Sequence, residues 1–463
     1  MPNIQTQTSK PGLLRQLGFF SATALVISNM VGTGIFATTG FMAGDLGSAW
    51  LIMACWSVGA LFALAGALSY SELGINFPSS GGEYVYLTQA FGPEWGFMTG
   101  WVSFFAGFSA PIAATALAFA DYLGHVFPAL SAEKTGMVIG SGALSLRMGG
   151  AQLAASVLIA AFTLLNCFGV GRTAKVQNVL TTTKLIMITV FVVLGFLIGS
   201  GSWDHFAQAA VRTSKVSLPT QFVISLLWVM FGYSGWNAAT YVAEEVRRPS
   251  RTLPAALAAG TGIVATLYLA LNAVFIYSTP LERMKGEIAI GSLSAENLFG
   301  PHIAGVFSIL MALALASTVN AEVTIGPRVY YAMAKNKAFF ASAAEVHPRW
   351  HSPLLAILSQ GVCAMLMTLT PFRELVLYIG MSLTLFTVLS VSSLFVFRRK
   401  RAGWQKLKAL NFCWPLIPAS YIAVGTCMMI YGIIQQPRAS LTAFGTVGVG
   451  ALVYHFGIRP PRT

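Results

Sequence analysis

The stretch Val31-Gly32-Thr33-Gly34-Ile35-Phe36 interrupts a long apolar block, and Phe231-Gly232-Tyr233-Ser234-Gly235-Trp236-Asn237 interrupts another about 200 residues later. Both interruptions lie well inside blocks that are long enough to cross a bilayer as a helix. Glycines in membrane helices also serve close helix packing, and either cluster alone fits that interpretation equally well. Two clusters in corresponding positions favour unwound helices, which are the sequence sign of a transporter's central site.

The composition indicates lipid as the solvent of this chain. Of its 463 residues, 56% are hydrophobic and only 9% are charged, whereas a soluble domain carries about 25% charged residues. We predict an all-α polytopic membrane protein with about twelve transmembrane helices. The apolar blocks run over residues 15–44, 49–74, 94–123, 149–170, 173–199, 220–246, 253–279, 303–334, 353–370, 374–397, 413–434 and 440–458.

Five blocks precede the block with the second interruption, which suggests two halves of five helices each. We predict a first inverted repeat over 15–200, a second over 220–398, and two appended helices over 413–458. An even number of helices places the two tails, 1–14 and 459–463, on one side of the membrane. Nineteen of the 28 Lys and Arg residues fall on that side, which predicts cytoplasmic tails in a cell-membrane protein.

Unwound backbone inside a bilayer needs a polar partner, because lipid satisfies neither N–H nor C=O groups. A bound amino acid supplies both kinds of partner. Its carboxylate suits the N–H groups at the start of a half-helix, and its ammonium suits orphan carbonyls. The glycines let the backbone approach the ligand closely, while Thr33 and Ser234 add hydroxyl groups.

Lys184 is the one basic residue buried in an apolar block, since Arg15, Lys175 and Arg328 lie near block ends. With a helix start at residue 173 it lies about 16 Å deep, too deep for easy access to the surface. Three roles stay open for it: proton carrier, fixed substitute for a sodium ion, or hydrogen-bond donor to the first interruption. A later helix start would instead leave Lys184 at the interface.

Acidic residues occur both inside an apolar block and at block ends. Glu322 lies between apolar neighbours in the eighth block, where proton coupling, a wet cavity and pairing with a basic residue all remain open. Glu72 and Glu83 lie near block ends, where we expect solvated side chains or loop networks.

The sequence lacks the motifs of other classes of function. All six histidines lie in loops or near the chain end, none forms an HExxH motif, and no glycine-rich phosphate loop occurs. The five cysteines have no metal or redox spacing. We therefore expect no enzyme activity and no metal or other cofactor. The net charge of +13 lies in short loops, which argues against a nucleic acid partner.

An ordered set of stretches carries a family resemblance. These are Gly32 to Phe36, Pro78-Ser79-Ser80-Gly81-Gly82-Glu83-Tyr84, Val176-Gln177-Asn178-Val179 with Lys184, Phe231 to Asn237, Glu244-Glu245-Val246-Arg247-Arg248-Pro249 with Leu253-Pro254, and Asn320 with Gly326-Pro327-Arg328. Together they closely resemble the amino acid–polyamine–organocation superfamily. Within it they are most similar to the L-type amino acid transporter group and its bacterial relatives, over nearly the whole chain.

The resemblance implies a LeuT-like fold of five-plus-five inverted repeats with unwound first and sixth helices. The implied substrate-binding set is Met30, Thr33, Gly34, Phe231, Gly232 and Ser234, with Phe231 as a lid. The predicted gating or supporting set contains positions that match the family and residues that flank the interruptions. Its members are Gly32, Lys184, Gly235, Trp236, Asn237 and Asn320. Lys184 matches a family lysine that stands where related proteins hold sodium, so sodium dependence is not expected.

Two departures from the family bear on partner and substrate. Heteromeric animal members carry a cysteine between helices 3 and 4 that bonds a glycoprotein subunit, and residues 124–148 contain none. No disulfide-linked glycoprotein subunit is therefore expected, and the chain is a monomer or a homo-oligomer. Glu322 stands where the family leads us to expect a small or hydroxylic residue, which leaves the preferred substrate open.

We predict a secondary active transporter, either a symporter or an exchanger, that carries neutral amino acids by alternating access without sodium. Its partners are the amino acid and the lipid bilayer, and Lys184 and Glu322 are the candidates for coupling. Two alternatives remain open. One is a membrane sensor that binds an amino acid without carrying it, and the other is a permease for amines or polyamines.

Overall fold

A computed structural model describes residue 15 and residues 17–79, 81–131, 137–139, 146–168, 170–347, 349–350 and 352–458, with backbone alone for 138–139, 170–176, 178 and 245. The predicted tails, 1–14 and 459–463, lie outside these residues. The α-helices are α1 (Phe19–Met30), α2 (Thr33–Leu46), α3 (Ala49–Asn76), α4 (Glu83–Phe91), α5 (Pro93–Val102), α6 (Ala110–Gly124), α7 (Gly150–Cys167), α8 (Val170–Leu197), α9 (Leu218–Tyr233), α10 (Pro249–Ser278), α11 (Leu281–Met284), α12 (Ile290–Phe299), α13 (Pro301–Lys335), α14 (Leu354–Met367), α15 (Phe372–Lys400), α16 (Lys408–Phe412), α17 (Leu416–Gln435) and α18 (Pro437–Val453).

Shorter elements complete the architecture. The 3-10 helices are Pro128–Leu130, Trp203–Phe206, Ala238–Glu245 and Ala341–Ala344, and the π-helical turns are Ser103–Ser109 and Tyr454–Ile458. The strands β1 (Met137–Ile139) and β2 (Leu146–Met148) pair antiparallel, with Met137 opposite Met148.

The predicted all-α protein of about twelve transmembrane helices is confirmed. In the described part of the chain, eleven helical segments are long and apolar enough to cross a membrane, and α14 is a shorter apolar helix. The closely spaced blocks 353–370 and 374–397 correspond to α14 and α15. Pro371 precedes α15 and lacks the N–H group that a continuous helix would need at this turn.

Both glycine-rich interruptions lie in unwound backbone. The first separates α1, which ends at Met30, from α2, which begins at Thr33. The second separates α9 from the 3-10 helix Ala238–Glu245, and it includes Gly235 at φ 99°, a left-handed conformation that favours glycine. The symmetry that would relate the two halves as inverted repeats stays a prediction.

The interrupted segments lie at the centre of the molecule. Of the apolar window in Leu218–Glu244, 78% is buried, whereas only 17% is buried in Pro437–Ile458. Helix α10 packs along α3 and α1, and α13 packs along α6. Helices α17 and α18, with 28% and 17% of their apolar windows buried, are therefore peripheral.

The bundle has two ends, one on each side of the membrane. We call the end where α1 begins the near side, and the end where α2 finishes the far side. Successive membrane helices alternate in direction, so α3 ends on the near side, α4 lies there, and α15 and α18 begin on the far side.

Candidate functional site at the two helix interruptions

The backbones of the two interruptions touch at glycines. A Cβ atom placed on Gly34 would lie 2.2 Å from the Cα of Gly232, and one placed on Gly232 would lie 2.6 Å from the Trp56 ring. Such distances leave no room for a side chain unless the backbone moves. The structure therefore brings the two halves of the predicted substrate-binding set together, although their part in binding stays a prediction.

A tyrosine from α10 joins the two interruptions, and no sequence pattern pointed to this residue. The buried hydroxyl of Tyr268 lies within hydrogen-bond distance of the Met30 carbonyl and 3.0 Å from the Gly232 carbonyl. Its single proton serves one of these acceptors at a time. Tyr268 is one of several tyrosines in apolar blocks, and nothing in its spacing distinguishes it from a packing residue.

Lys184 caps the broken end of α1. Its Nζ atom donates hydrogen bonds to the carbonyls of Val31 at 2.6 Å and Ser28 at 3.4 Å, and to Thr318 Oγ1 at 3.1 Å. The side chain is only 1% exposed, so the interfacial alternative is wrong. The contacts are those of a donor to the first interruption, and the ammonium supplies positive charge where carbonyl oxygens converge.

The environment of Gly32 is set by the same threonine. Thr318 donates to the Val31 carbonyl at 3.0 Å, and a Cβ on Gly32 would lie 3.0 Å from its methyl carbon. Gly32 therefore lets α13 approach the unwound backbone closely enough for Thr318 and Lys184 to share one acceptor.

Asn320 supports this arrangement from α13 without reaching the interruptions. Its Nδ2 donates to Gln177 Oε1 at 2.8 Å, and its Oδ1 accepts from Asn166 at 3.2 Å. Gln177 in turn donates to Ser317 at 3.1 Å. These bonds tie α7, α8 and α13 together and hold the helix that carries Lys184.

The two hydroxyls of the predicted substrate-binding set differ in availability. Ser234 Oγ donates to the Phe231 carbonyl at 2.8 Å and is therefore already engaged. Thr33 Oγ1 is buried and has no hydrogen-bond partner among the described residues. A buried hydroxyl without a partner costs free energy, so Thr33 at the start of α2 is the hydroxyl that is open to a ligand.

A cavity on the near side begins beside the second interruption. The predicted residues that line it are Ser234, Gly235, Trp236, Asn237 and Glu322. The predicted residues outside its lining are Met30, Thr33, Gly34, Phe231, Gly232, Gly32, Lys184 and Asn320. The cavity is therefore lined by predicted residues of the second interruption and of α13, and by none of the predicted residues of α1 and α2.

Glu322 contributes a carboxylate to this cavity. Its Oε2 atom is buried and has no hydrogen-bond partner among the described residues. Lys184 lies near enough to interact with it electrostatically, but no ion pair joins the two described side chains. Of the three explanations weighed from the sequence, a cavity-lining carboxylate is the one that the geometry supports.

Glu83 is a second carboxylate that lines this cavity. It is buried, accepts hydrogen bonds from Tyr70 at 2.7 Å and Asn237 at 3.0 Å, and lies at the start of α4, between two membrane-spanning segments. The expectation of a solvated side chain is therefore wrong, and a network is found instead. Burial raises the pKa of Glu83 to about 7, against the lowering effect of its hydrogen bonds, including one from Tyr241.

Trp236 lines the cavity beside the Glu83 network and packs against aromatic side chains of neighbouring helices. Its ring makes an edge contact with Tyr70 at 4.8 Å between centroids and with Tyr421 at 6.2 Å. The indole is 2% exposed, so it packs as well as lining the cavity.

The far side is closed above the interruptions. Phe41 of α2 stacks on Trp228 of α9 at 5.1 Å and on Phe372 at 6.2 Å between ring centroids. The end of α2 also pairs with the loop before α9, since Ala210 N–H donates to the Gly47 carbonyl at 2.9 Å. In the described part of the chain, the polar cavity therefore lies on the near side, and aromatic contacts close the far side.

Metal chemistry finds no support in the described residues, where no group of three or more His, Cys, Asp or Glu side chains converges. The polar groups of this centre are backbone carbonyls, hydroxyls, amides, one ammonium and two carboxylates. Such groups bind and release a small polar molecule.

Apolar helices around two unwound segments that meet at glycines define the class of secondary transporters with discontinuous helices. The family model described as "Amino acid permease" matches residues 17–449. This chain therefore belongs to the amino acid permease family, which confirms the resemblance drawn from the sequence.

Known relatives match the chain over nearly its whole length. It is 25% identical to Large neutral amino acids transporter small subunit 2 of Oryctolagus cuniculus, over 96% of this chain and 81% of the relative. It is 26% identical to Serine/threonine exchanger SteT of Bacillus subtilis (strain 168), over 98% of both chains. It is 23% identical to Asc-type amino acid transporter 1 of Mus musculus, over 97% of this chain and 82% of the relative. The chain is similar throughout to transporters and exchangers of amino acids.

Proposed function

We propose that this protein exchanges neutral amino acids across the cell membrane by alternating access, without sodium. The observation that carries the proposal is the meeting of two unwound helices at Gly34 and Gly232, with the Lys184 ammonium bonded to the broken end of α1. The kinship with transporters and exchangers of amino acids supports the same conclusion.

The substrate would bind between the two interruptions. Its carboxylate would accept hydrogen bonds from the N–H groups at the start of α2 and from the Thr33 hydroxyl, where the helix dipole is positive. Its ammonium would lie against the carbonyls at the end of α9, with Phe231 covering the site from the far side. Binding in this pose requires Gly34 and Gly232 to separate, which links substrate binding to a movement of the half-helices.

Lys184 would replace a dissociable cation. Its Nζ atom bonds to the carbonyls of Val31 and Ser28, which are the kind of oxygen ligands that a sodium ion would need. A covalently held ammonium at this place makes sodium binding redundant and repulsive. Sodium-independent transport follows from that substitution.

The orientation and assembly belong to the same proposal. The excess of Lys and Arg in the loops on the near side supports cytoplasmic tails, so the near-side cavity would open to the cytoplasm. Residues 124–148 contain no cysteine for a disulfide to a glycoprotein subunit, and the chain would work as a monomer or a homo-oligomer.

The test is exchange by the purified protein in liposomes. Vesicles preloaded with unlabelled serine, alanine or leucine should take up the same labelled amino acids faster than empty vesicles. Replacing external sodium by choline should change nothing. Uptake that requires sodium would contradict the role of Lys184, and no uptake of any amino acid would contradict the function. Equal uptake into empty vesicles under a proton gradient would indicate proton symport rather than exchange.

A permease for amines is the second candidate, because two carboxylates, Glu83 and Glu322, line one cavity. No described residue that lines this cavity is basic. The same vesicles distinguish the two functions. If the protein exchanges neutral amino acids, putrescine or another alkylamine should leave that exchange unaffected. If the protein is an amine permease, labelled putrescine should itself enter the vesicles.

A further inference from the structure

A second cavity lies away from the helix interruptions and has no part in the proposed transport. It measures about 370 Å³, a size typical of small-molecule sites. Its walls are α5, the π-helical turn Ser103–Ser109, α15 and α18, and it also touches the end of α14. None of the residues assigned above to substrate binding, gating or support lines it.

The polarity of this cavity changes with depth in the membrane. Its mouth is formed by Glu374 in the first turn of α15 and Arg438 in the first turn of α18, and both helices begin on the far side. Deeper in, the walls are apolar and include Trp101, Phe105 and Val449. Val449 lies about 16 Å further along α18 than Arg438 at 1.5 Å per residue. Charges at the interface above an apolar interior match the layout of a phospholipid.

The two charged side chains at the mouth of the cavity, Glu374 and Arg438, form no ion pair with the described residues, and none joins them to each other. Two opposite charges at one cavity that do not pair with each other suit a zwitterion whose charges are separated by several bonds. The guanidinium fits a phosphate with two donors, and the carboxylate fits an ammonium.

Hydrogen bonds fix the inner wall, so the cavity is built into the bundle. Trp101 donates its indole N–H to the Thr446 carbonyl at 3.0 Å, and the Tyr378 hydroxyl lies 3.1 Å from Thr446 Oγ1. These hydrogen bonds link α5 and α15 to α18 and so fix the distances between the three helices that form the cavity walls. Val449 lines the cavity and is 50% exposed, so the apolar part of the cavity opens toward lipid at the side of the bundle.

We propose that this cavity binds an amine-bearing phospholipid such as phosphatidylethanolamine, with its phosphate on Arg438, its ammonium on Glu374 and an acyl chain along Trp101, Phe105 and Val449. A free amino acid has the same two charges but needs no deep apolar channel open to the bilayer. The lipid is therefore the occupant that both the charges and the apolar depth favour.

The test measures bound lipid on the full-length protein. Protein purified in mild detergent is delipidated, placed in phosphatidylcholine nanodiscs that contain a minor fraction of phosphatidylethanolamine or phosphatidylglycerol, and re-extracted for mass spectrometry. We expect selective retention of phosphatidylethanolamine. Arg438→Gln and Glu374→Gln should each reduce that retention about tenfold, which corresponds to about 1.4 kcal/mol.

Control variants separate this site from general effects. Arg283→Gln removes an exposed far-side charge outside the cavity and should leave retention unchanged. Val449→Trp fills the apolar channel from an exposed position and should also reduce retention, independently of charge. Melting temperatures on the same samples establish that each variant is folded.

Three results would overturn the proposal. Equal retention of phosphatidylglycerol and phosphatidylethanolamine would remove the role of Glu374. Unchanged retention in Arg438→Gln, Glu374→Gln and Val449→Trp would place any bound lipid elsewhere. Binding of free serine that is lost in Arg438→Gln, with no lipid selectivity, would make this a second amino acid site.

Discussion

Gly34 and Gly232 set the tightest constraint of any residues in the proposed site. A side chain at Gly34 would collide with the main chain of Gly232, which has no rotamer by which to move aside, and a side chain at Gly232 would collide with the buried Trp56 ring. In the proposed transport cycle this pair would be the contact that opens and closes.

We expect Gly34→Val to abolish amino acid binding while the protein still folds. Overpacking of this kind costs about 1–3 kcal/mol, and α2 would relieve it by shifting away from α9. The measurements are exchange in liposomes and the rise in melting temperature caused by amino acid. Gly445→Val is the matched control, since a Cβ at Gly445 meets no atom within 4 Å. Normal exchange by Gly34→Val would mean that substrate binds elsewhere.

Lys184 is the second residue whose chemistry is open to a direct test. We expect Lys184→Met, which keeps the length of the side chain, to lower exchange far more than it lowers the melting temperature. The substitution removes the ammonium that donates to the carbonyls of Val31 and Ser28, and the loss of a hydrogen bond from a charged group costs about 1.5–3 kcal/mol. Added sodium should not restore the activity.

Lys215→Met, at an exposed lysine, provides the comparison for loss of positive charge alone. Two results would contradict the prediction for Lys184. Wild-type exchange would return the residue to a packing role, and recovery in high sodium would show that the site accepts a metal ion after all.

At the scale of elements, helix positions follow from the sequence because apolar length is a local property. The block 149–170 is α7, Gly150–Cys167, and the block 303–334 is α13, Pro301–Lys335. The unwound segments were also predictable, since glycine clusters interrupt a helix where they occur. Long-range contacts were not. Tyr268 reaches the Met30 carbonyl across 238 residues, and Glu83 meets Asn237 across 154.

The junction of α3, α4 and the 3-10 helix Ala238–Glu245 depends on Glu83, whose hydrogen bonds come from Tyr70 and Asn237. The carboxylate form accepts these bonds about twice as strongly as the neutral form. Burial nevertheless outweighs these bonds and raises the pKa of Glu83 to about 7, so the closed junction favours the neutral carboxyl. Opening would hydrate the carboxylate, so we expect the cavity beside Glu83 to open more readily as pH rises.

We therefore expect exchange to rise about fivefold as pH rises from about 6 to about 8, the effect of about 1 kcal/mol, with a midpoint near the Glu83 pKa of about 7. Glu83→Gln should have nearly constant exchange over the same range. Asp204→Asn, at an exposed far-side carboxylate that lines neither cavity, is the control and should keep the wild-type profile. An unchanged profile in Glu83→Gln would assign the titration to another group.

The same group predicts how stability depends on pH. The folded protein holds the Glu83 proton up to about pH 7, whereas the unfolded chain releases it near the ordinary value of 4.5. The contribution of the neutral carboxyl is complete below about pH 4.5 and is lost as pH rises through about 7. The melting temperature of the wild type should therefore fall over this interval relative to Glu83→Gln.

At the scale of the whole molecule, a near-side clamp holds the bundle together opposite the closed far side. We define this clamp as Glu72 of α3, Arg398 of α15 and Trp404. Arg398 donates to Glu72 at 2.5 and 2.6 Å, and the Trp404 indole donates to the same carboxylate at 2.7 Å. Glu72 is fully buried, and the clamp joins helices 326 residues apart in the chain.

We expect Arg398→Met to destabilise the protein by about 3–5 kcal/mol, because removing one partner of a buried ion pair leaves an uncompensated charge. The melting temperature in detergent measures the loss. Arg399→Gln changes the next residue of the same basic run, which is exposed, and should have little effect. If Arg398→Met melts at the wild-type temperature, as Arg399→Gln should, the ion pair of Arg398 with Glu72 contributes nothing to stability and the prediction is wrong.

The covalent attachment of the Lys184 ammonium also determines what energy the proposed carrier is able to use. A sodium ion that binds and dissociates in each cycle would couple its own gradient to the substrate, whereas a lysine delivers no ion from one compartment to the other. When one zwitterion is exchanged for another, no net charge crosses, and membrane voltage performs no work on the cycle. Such a carrier equalises the concentration ratios of its substrates across the bilayer. It accumulates one amino acid only while another runs down its own gradient.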